Sequence, residues 1–306
     1  MGSSAATRNT HLSNYAFGIA QDLRSALAEF ISPQVPTGTS SGQFKKFDDK
    51  NAFQVYDTLR ALGGENKVIQ FAASDPSFNC QPRGLSIGID DAERNKAGEA
   101  GIRQLEEAKV KTLVSTSVLS HEATVFAAAL AGLAAVAGKG EWSNAAIDPV
   151  LQIDEQIEAI ALATGIMPNR IVFGLGAWRV FRNHTLVKAR QPGAELIGVT
   201  GEQAARMTLN PGIDIRVGIL SKDTTKFGAA KNAVNIVGSE VLIFFNQPSP
   251  TQYDPGFMKT FTPRLNSVDS VFQYQDEGRT SDMYKTNWED DTQVISTALA
   301  KRITLS

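Results

Sequence analysis

The sequence predicts an α+β chain, and three observations carry that expectation. Thirty consecutive residues, Ile102–Ala131, contain neither glycine nor proline, and at ~1.5 Å rise per residue they would form a rod of about 45 Å. Between 141 and 230, capped helical segments alternate with short apolar strands. From 231 to the end, strand-like segments follow one another at short spacing.

Composition narrows the class. The 306 residues are 42% hydrophobic and 20% charged, an ordinary globular balance with enough chain to bury a core. Thirty Lys and Arg against 32 Asp and Glu leave a net charge of −2, whereas gripping DNA by phosphate neutralisation usually needs a basic surplus. The single cysteine, Cys80, excludes an intrachain disulfide and a multi-cysteine zinc site. The opening MGSSAATRNT shows no apolar signal region, and Ala6 breaks the myristoylation pattern. The apolar stretch Ala123–Gly138 is half alanine and too short to span a bilayer, so a cytosol-like compartment is expected.

Along the chain, residues 1–42 read as an extended arm. One amphipathic stretch (Ile19, Leu23, Leu27, Phe30) is stopped by Pro33 and Pro36, and a flexible link follows at 37–42. With a single sticky helix, the arm must pack on something else. Residues 43–89 read as a hairpin-like excursion with little core. Phe44, Phe47, Phe53 and Tyr56 punctuate it, a turn is expected at 62–66, and strands at Val68–Phe71 and Leu85–Ile89. Gly98 and Gly101 weaken the start of the long helix (91–137), whose apolar positions hold no heptad.

Asp148 and Pro149 open the next helix and Gly165 closes it, with Val150, Ile153, Ile157 and Ile160 as its buried stripe. Arg170–Gly174 reads as a strand, Ala177–Phe181 as the start of a helix, and Thr200 with Gln203 as a capping box. Ile213, Ile215, Val217 and Ile219 alternate as a half-buried strand. Val241–Phe245, Phe257–Thr262, Val271–Tyr274, Met283–Trp288, Gln293–Thr297 and Arg302–Leu305 are the expected terminal strands.

The candidates for chemistry are weak. Gly174-Leu175-Gly176-Ala177-Trp178-Arg179 lies between a strand and a helix, as a dinucleotide-binding turn would. It lacks the third glycine and the acidic residue about 20 positions on. His121-Glu122 resembles a zincin start without its second histidine, and a solvated helix face is expected there. Cys80 has no nearby histidine base and reads as a small, inert thiol. Glu289-Asp290-Asp291 lacks calcium-loop spacing and reads as a turn in water. His184 lies in an Asn-His-Thr sequon that has no use without secretion. No catalytic, cofactor-binding or metal-ligating residue is assigned.

The layout and several short motifs resemble the tailed-bacteriophage major capsid proteins of the Hong Kong 97-type (Johnson) fold, which encapsulins share. The match is best at Trp142, Asp148-Pro149, Ile153, Ile157, Gly165, Pro168-Asn169-Arg170, Gly174, Ala177-Trp178, Phe181, Asn183-His184 and Val187. Asn246-Gln247-Pro248-Ser249-Pro250, Lys259-Thr260-Phe261 and Arg279-Thr280-Ser281-Asp282 extend it. The resemblance covers 90–306 by residues and 43–89 by position.

It implies an N-arm (1–42), an E-loop (43–89), a P-domain made of a spine helix (90–140) and terminal strands (231–306), and an A-domain (141–230). It further implies self-assembly as hexamers and pentamers into an icosahedral shell enclosing double-stranded DNA without sequence-specific binding. Scaffolding, portal and decoration proteins would be further partners. Assembly would take place in the host cytoplasm, the destination would be the virion capsid, and no enzyme activity, cofactor or membrane would be involved. Phe44, Phe47, Phe53 and Phe71 are then candidate anchors on a neighbouring subunit, with packing inside the same chain as the alternative. Deleting 1–42 is expected to impair assembly and leave the subunit soluble. Two alternatives remain: an encapsulin-like cargo compartment, and a nucleotide-dependent α/β enzyme resting on 174–179.

Overall fold

The computed structural model describes residues 7–16, 27–44, 46–47, 58–60, 66, 73–74, 76–190, 198–226, 229–263 and 270–305. Its longest element is helix α2, Asp91–Gly132, which follows α1 (Ala28–Ile31). Asp90 caps α2 by accepting from the Ala92 amide, and Gly98 (φ 63°) breaks the helical geometry about two turns in. That position needs the left-handed backbone freedom of glycine. The two glycines expected to weaken the start thus include the residue at which the helix kinks.

Two sheets organise the remainder, apart from short two-stranded ladders such as β10 (Ser221–Asp223) with β11 (Ala233–Asn235). The first contains β1 (Thr7–Arg8), β2 (Gln34–Pro36), β7 (Gln81–Asp90), β13 (Met258–Thr262), β14 (Val271–Asp276) and β15 (Ser281–Val294). β15 is its axis. β7 runs antiparallel to it from Ser281 to Asp290, β14 pairs with its first half and β13 with its end, while β2 adds to β13 in parallel. The expected strand at Met283–Trp288 and the start of the one expected at Gln293–Thr297 are joined in this one strand, which ends at Val294. The acidic run between them continues the ladder instead of turning, because Asp290 opposes Gln81 and Asp291 opposes Phe261.

The second sheet has the order β16 (Ala300–Thr304), β12 (Glu240–Phe244), β8 (Arg170–Gly174), β9 (Asp214–Gly218), with only β8 and β9 parallel. It draws two strands from each side of residue 230. Side chains alternate across it as the strand period requires. Ile171, Phe173, Val241, Ile243 and Ile303 face α3 (Pro149–Thr164) and α4 (Leu175–Asn183). Val172, Leu242, Phe244 and Ala300 face the last turns of α2 and the arm helix α1. The expected local signals are present: Asp148 accepts from the Val150 amide, Gly165 is left-handed (φ 68°), and Thr200 and Gln203 form the capping box of α6 (Gly201–Met207), which follows α5 (Thr185–Ala189).

The excursion is a hairpin at its base. β3 (Ser41–Gln43) pairs with β6 (Ser77–Asn79), and one step further out β4 (Lys46–Phe47) pairs with β5 (Ala73–Ser74). The strand expected at Val68–Phe71 and residues 62–65 of the turn expected at 62–66 lie outside the described residues.

Candidate functional site

The arm, the long helix and strand β15 meet at the foot of the excursion, where polar side chains join them beside the apolar cluster. Glu122, buried on α2, accepts hydrogen bonds from the amides of Leu27 (3.2 Å) and Ala28 (2.7 Å). Its carboxylate therefore occupies the start of α1, where free N–H groups and the helix dipole favour an anion. Burial pushes the Glu122 pKa above the usual carboxylate range, and the two amides only partly oppose this. Ser32 and Thr260 share a hydroxyl bond of 2.8 Å, and Arg170 donates to the Phe30 carbonyl at 2.6 Å. The guanidiniums of Arg170 and Arg216 also lie 4.8 and 4.2 Å from the Phe30 ring centre, a cation–π arrangement.

Below the hairpin, Phe261 is held between Phe44 (centroids 5.0 Å) and Phe78 (4.7 Å), with Val35, Cys80 and Ile295 completing the cluster. Of the four candidate anchors, Phe44 packs within its own chain. Phe47 lies in β4, its side chain outside the described residues, and Phe53 and Phe71 are outside them altogether. The Cys80 thiol is pushed up to about 11, chiefly by burial and then by Asp291, Asp290 and Glu289, so a thiolate nucleophile is disfavoured.

The acidic run corrects the expectation of a solvated turn. Glu289 accepts from the Ser40 hydroxyl (2.7 Å) and Asp291 from the Asn79 amide (2.8 Å). Asp290 is buried and takes Arg83 of β7 at 2.5 Å and His121 of α2 at 3.0 Å. Burial raises the Asp290 pKa, but the His121 bond and charge and the Arg83 charge outweigh it and hold the carboxyl below its ordinary value. His121-Glu122 is likewise no solvated face, since both side chains tie α2 to other elements. Two further links run along the same helix: Arg94 pairs with Asp282, and the Tyr284 hydroxyl donates to Glu106 at 2.9 Å. No local motif announced these pairs; only the strand register brings them together.

Three more features have structural explanations. At 174–179, a Cβ on Gly174 would lie 2.1 Å from the Gly238 carbonyl, and one on Gly176 would lie 2.9 Å from the Ser239 hydroxyl. The space that glycines would leave for a pyrophosphate is filled by the chain itself. His184 caps α5 by accepting from the Leu186 amide. Lys259 is buried and donates to the carbonyls of Thr251 and Asp254, both at 2.6 Å; burial lowers its pKa to about 8. It clamps the 251–254 turn onto β13.

No protein-family model matches the chain. Over 182 residues it is 24% identical to the major capsid protein of Pseudomonas phage JBD67, and the alignment covers 57% of each chain, little more than half the length of that relative. Among solved structures, a phage-related protein from Bordetella bronchiseptica superposes with a TM-score of 0.72 at 19% identity over 98% of this chain and 97% of the other. The capsid of cyanophage P-SCSP1u gives 0.56 at 10% identity over 100% and 90%. The virus-like particle from Pyrococcus furiosus gives 0.56 at 10% identity over 96% and 97%. The fold is the Hong Kong 97-type capsid fold, mixed helix and sheet.

Proposed function

We propose that this chain is the structural coat subunit of a tailed phage, whose copies assemble as hexamers and pentamers into an icosahedral shell around double-stranded DNA. The observation that carries this reading is the whole-length likeness to a phage capsid subunit, joined by the sequence relative that is a phage major capsid protein. In this reading 1–42 is the N-arm, 43–89 the E-loop, 90–140 and 231–306 the P-domain, and 141–230 the A-domain. The excursion suits a subunit that lies on its neighbour, since two-stranded hairpins are marginal alone. Phe47, Phe53 and Phe71 are its anchors on that neighbour. Several contacts of about 1,600 Å² each would combine modest affinities by multivalency. A near-neutral chain encloses DNA without gripping it, while scaffolding, portal and decoration proteins join during assembly in the host cytoplasm.

The equal likeness to the Pyrococcus virus-like particle supports a second reading, a compartment for protein cargo. Expression in a bacterial host, gradient purification of particles and analysis of their contents separate the two. Nuclease-resistant DNA in particles from phage-producing cells supports the coat protein; a co-purifying enzyme in place of DNA supports the compartment.

A further inference from the structure

Two exposed stripes in 149–190 repeat one spacing with opposite charge. On α3, Leu151, Glu155, Glu158 and Leu162 follow one another at intervals of four, three and four residues. At 100° per residue all four lie within about 40° of one line on the helix. Across α4 and α5, Leu175, Arg179, Arg182 and Leu186 follow at the same intervals. The four leucines are 55%, 75%, 48% and 36% exposed, although their neighbours on the same helices are core. The helix line is unbroken through α3, but bends at His184 before Leu186.

We infer that these stripes are the two sides of a contact between copies: the Leu-Glu-Glu-Leu stripe of one subunit lies on the Leu-Arg-Arg-Leu stripe of the next. This rests on the coat-subunit reading and names the surfaces by which neighbouring copies meet. Charge complementarity selects a second copy as occupant, because the chain carries both halves. The halves do not satisfy one another within the chain, since both are exposed. α3 stands over β12 and β16, and α4 over β8, β9 and β12, so the stripes occupy opposite halves of the same sheet. Glu155 is already paired with Lys139 and Arg182 lies against Gly198. Among the described residues, Glu158 and Arg179 have no such side-chain bond, and they are the charges left for the contact. A contact between unlike faces is heterologous and closes into a ring when its rotation closes.

Charge reversal on the full chain tests this. Glu158→Arg and Arg179→Glu should each fold as wild type by circular dichroism and thermal melting. Each should raise the protein concentration needed for ring or shell formation at least about tenfold, by sedimentation velocity and negative-stain microscopy. The double variant should assemble again. Mixing the two single variants should also restore rings with an even number of copies, because each then meets its complement in alternation; no effect confined to one chain can be rescued in this way. Leu162→Ser, at an exposed position, should weaken assembly without altering the melt. Single variants that assemble like an assembling wild type, or reversals rescued by neither the double variant nor the mixture, would overturn the contact and leave the coat-subunit reading standing. A wild type that stays monomeric at every concentration and salt would count against both.

Discussion

In the layer of α3, β8 and α4 the helix α3 carries its own start and stop, whereas the arm and the strands it meets are held by distant partners. Asp148 caps α3 from the adjoining position and Gly165 ends it; the apolar stripe of α3 then packs over β12 and β16 in one apolar cluster. The arm works differently. Glu122, which receives the start of α1, is 94 residues from Ala28, and Thr260 is 228 residues from Ser32. The first region is assembled from local signals and apolar burial. The second depends on polar groups that are satisfied only when the whole chain has closed, so removing one partner leaves another buried and unpaired.

The largest effect should follow from removing the arm. Leu27, Ala28, Phe30, Ile31 and Val35 are core residues, so deletion of 1–42 should yield an unfolded or insoluble chain instead of the soluble subunit expected from sequence. Phe30→Ala alone should cost about 3–5 kcal/mol, read by chemical denaturation. An arm-deleted chain with a wild-type melt would break the comparison at its base. Next, Glu122→Ala strands two buried amides and should cost about 3 kcal/mol, with amide exchange rising first at 27–31.

Asp290→Asn should cost about 2 kcal/mol at neutral pH, and the cost should depend on pH. The folded-state pKa of Asp290 is depressed, so its contribution is present above the unfolded value near 4 and lost as pH falls through the folded value. Wild type and variant should therefore converge in acid; a constant difference down to about pH 2 would contradict the assignment. The smallest effect belongs to the locally built region. Thr200→Ala removes one side of the capping box and should cost about 1 kcal/mol, confined to α6.

The same contrast explains what could be read in advance. Arg170–Gly174, the Asp148 and Gly165 caps and the Thr200–Gln203 box were legible because each signal acts within a few residues. The kink in the long helix was legible in Gly98. Glu289-Asp290-Asp291 was not, since three adjacent carboxylates suggest solvent until Arg83, His121, Ser40 and Asn79 are known to face them. His121-Glu122 failed for the same reason: a helix face says nothing of the arm that covers it. Phe44 was legible as an aromatic anchor, with packing inside its own chain as the alternative, but its partner was not, because Phe261 supplies the ring it packs on from 217 positions away.

Negative-stain microscopy of the purified full-length protein, after size-exclusion chromatography over a range of concentration and salt, tests the central claim most directly. The account predicts rings of five and six subunits or closed shells. A protein that remains a 32.9 kDa monomer under all these conditions, and with phage-infected cell extract added, would contradict it.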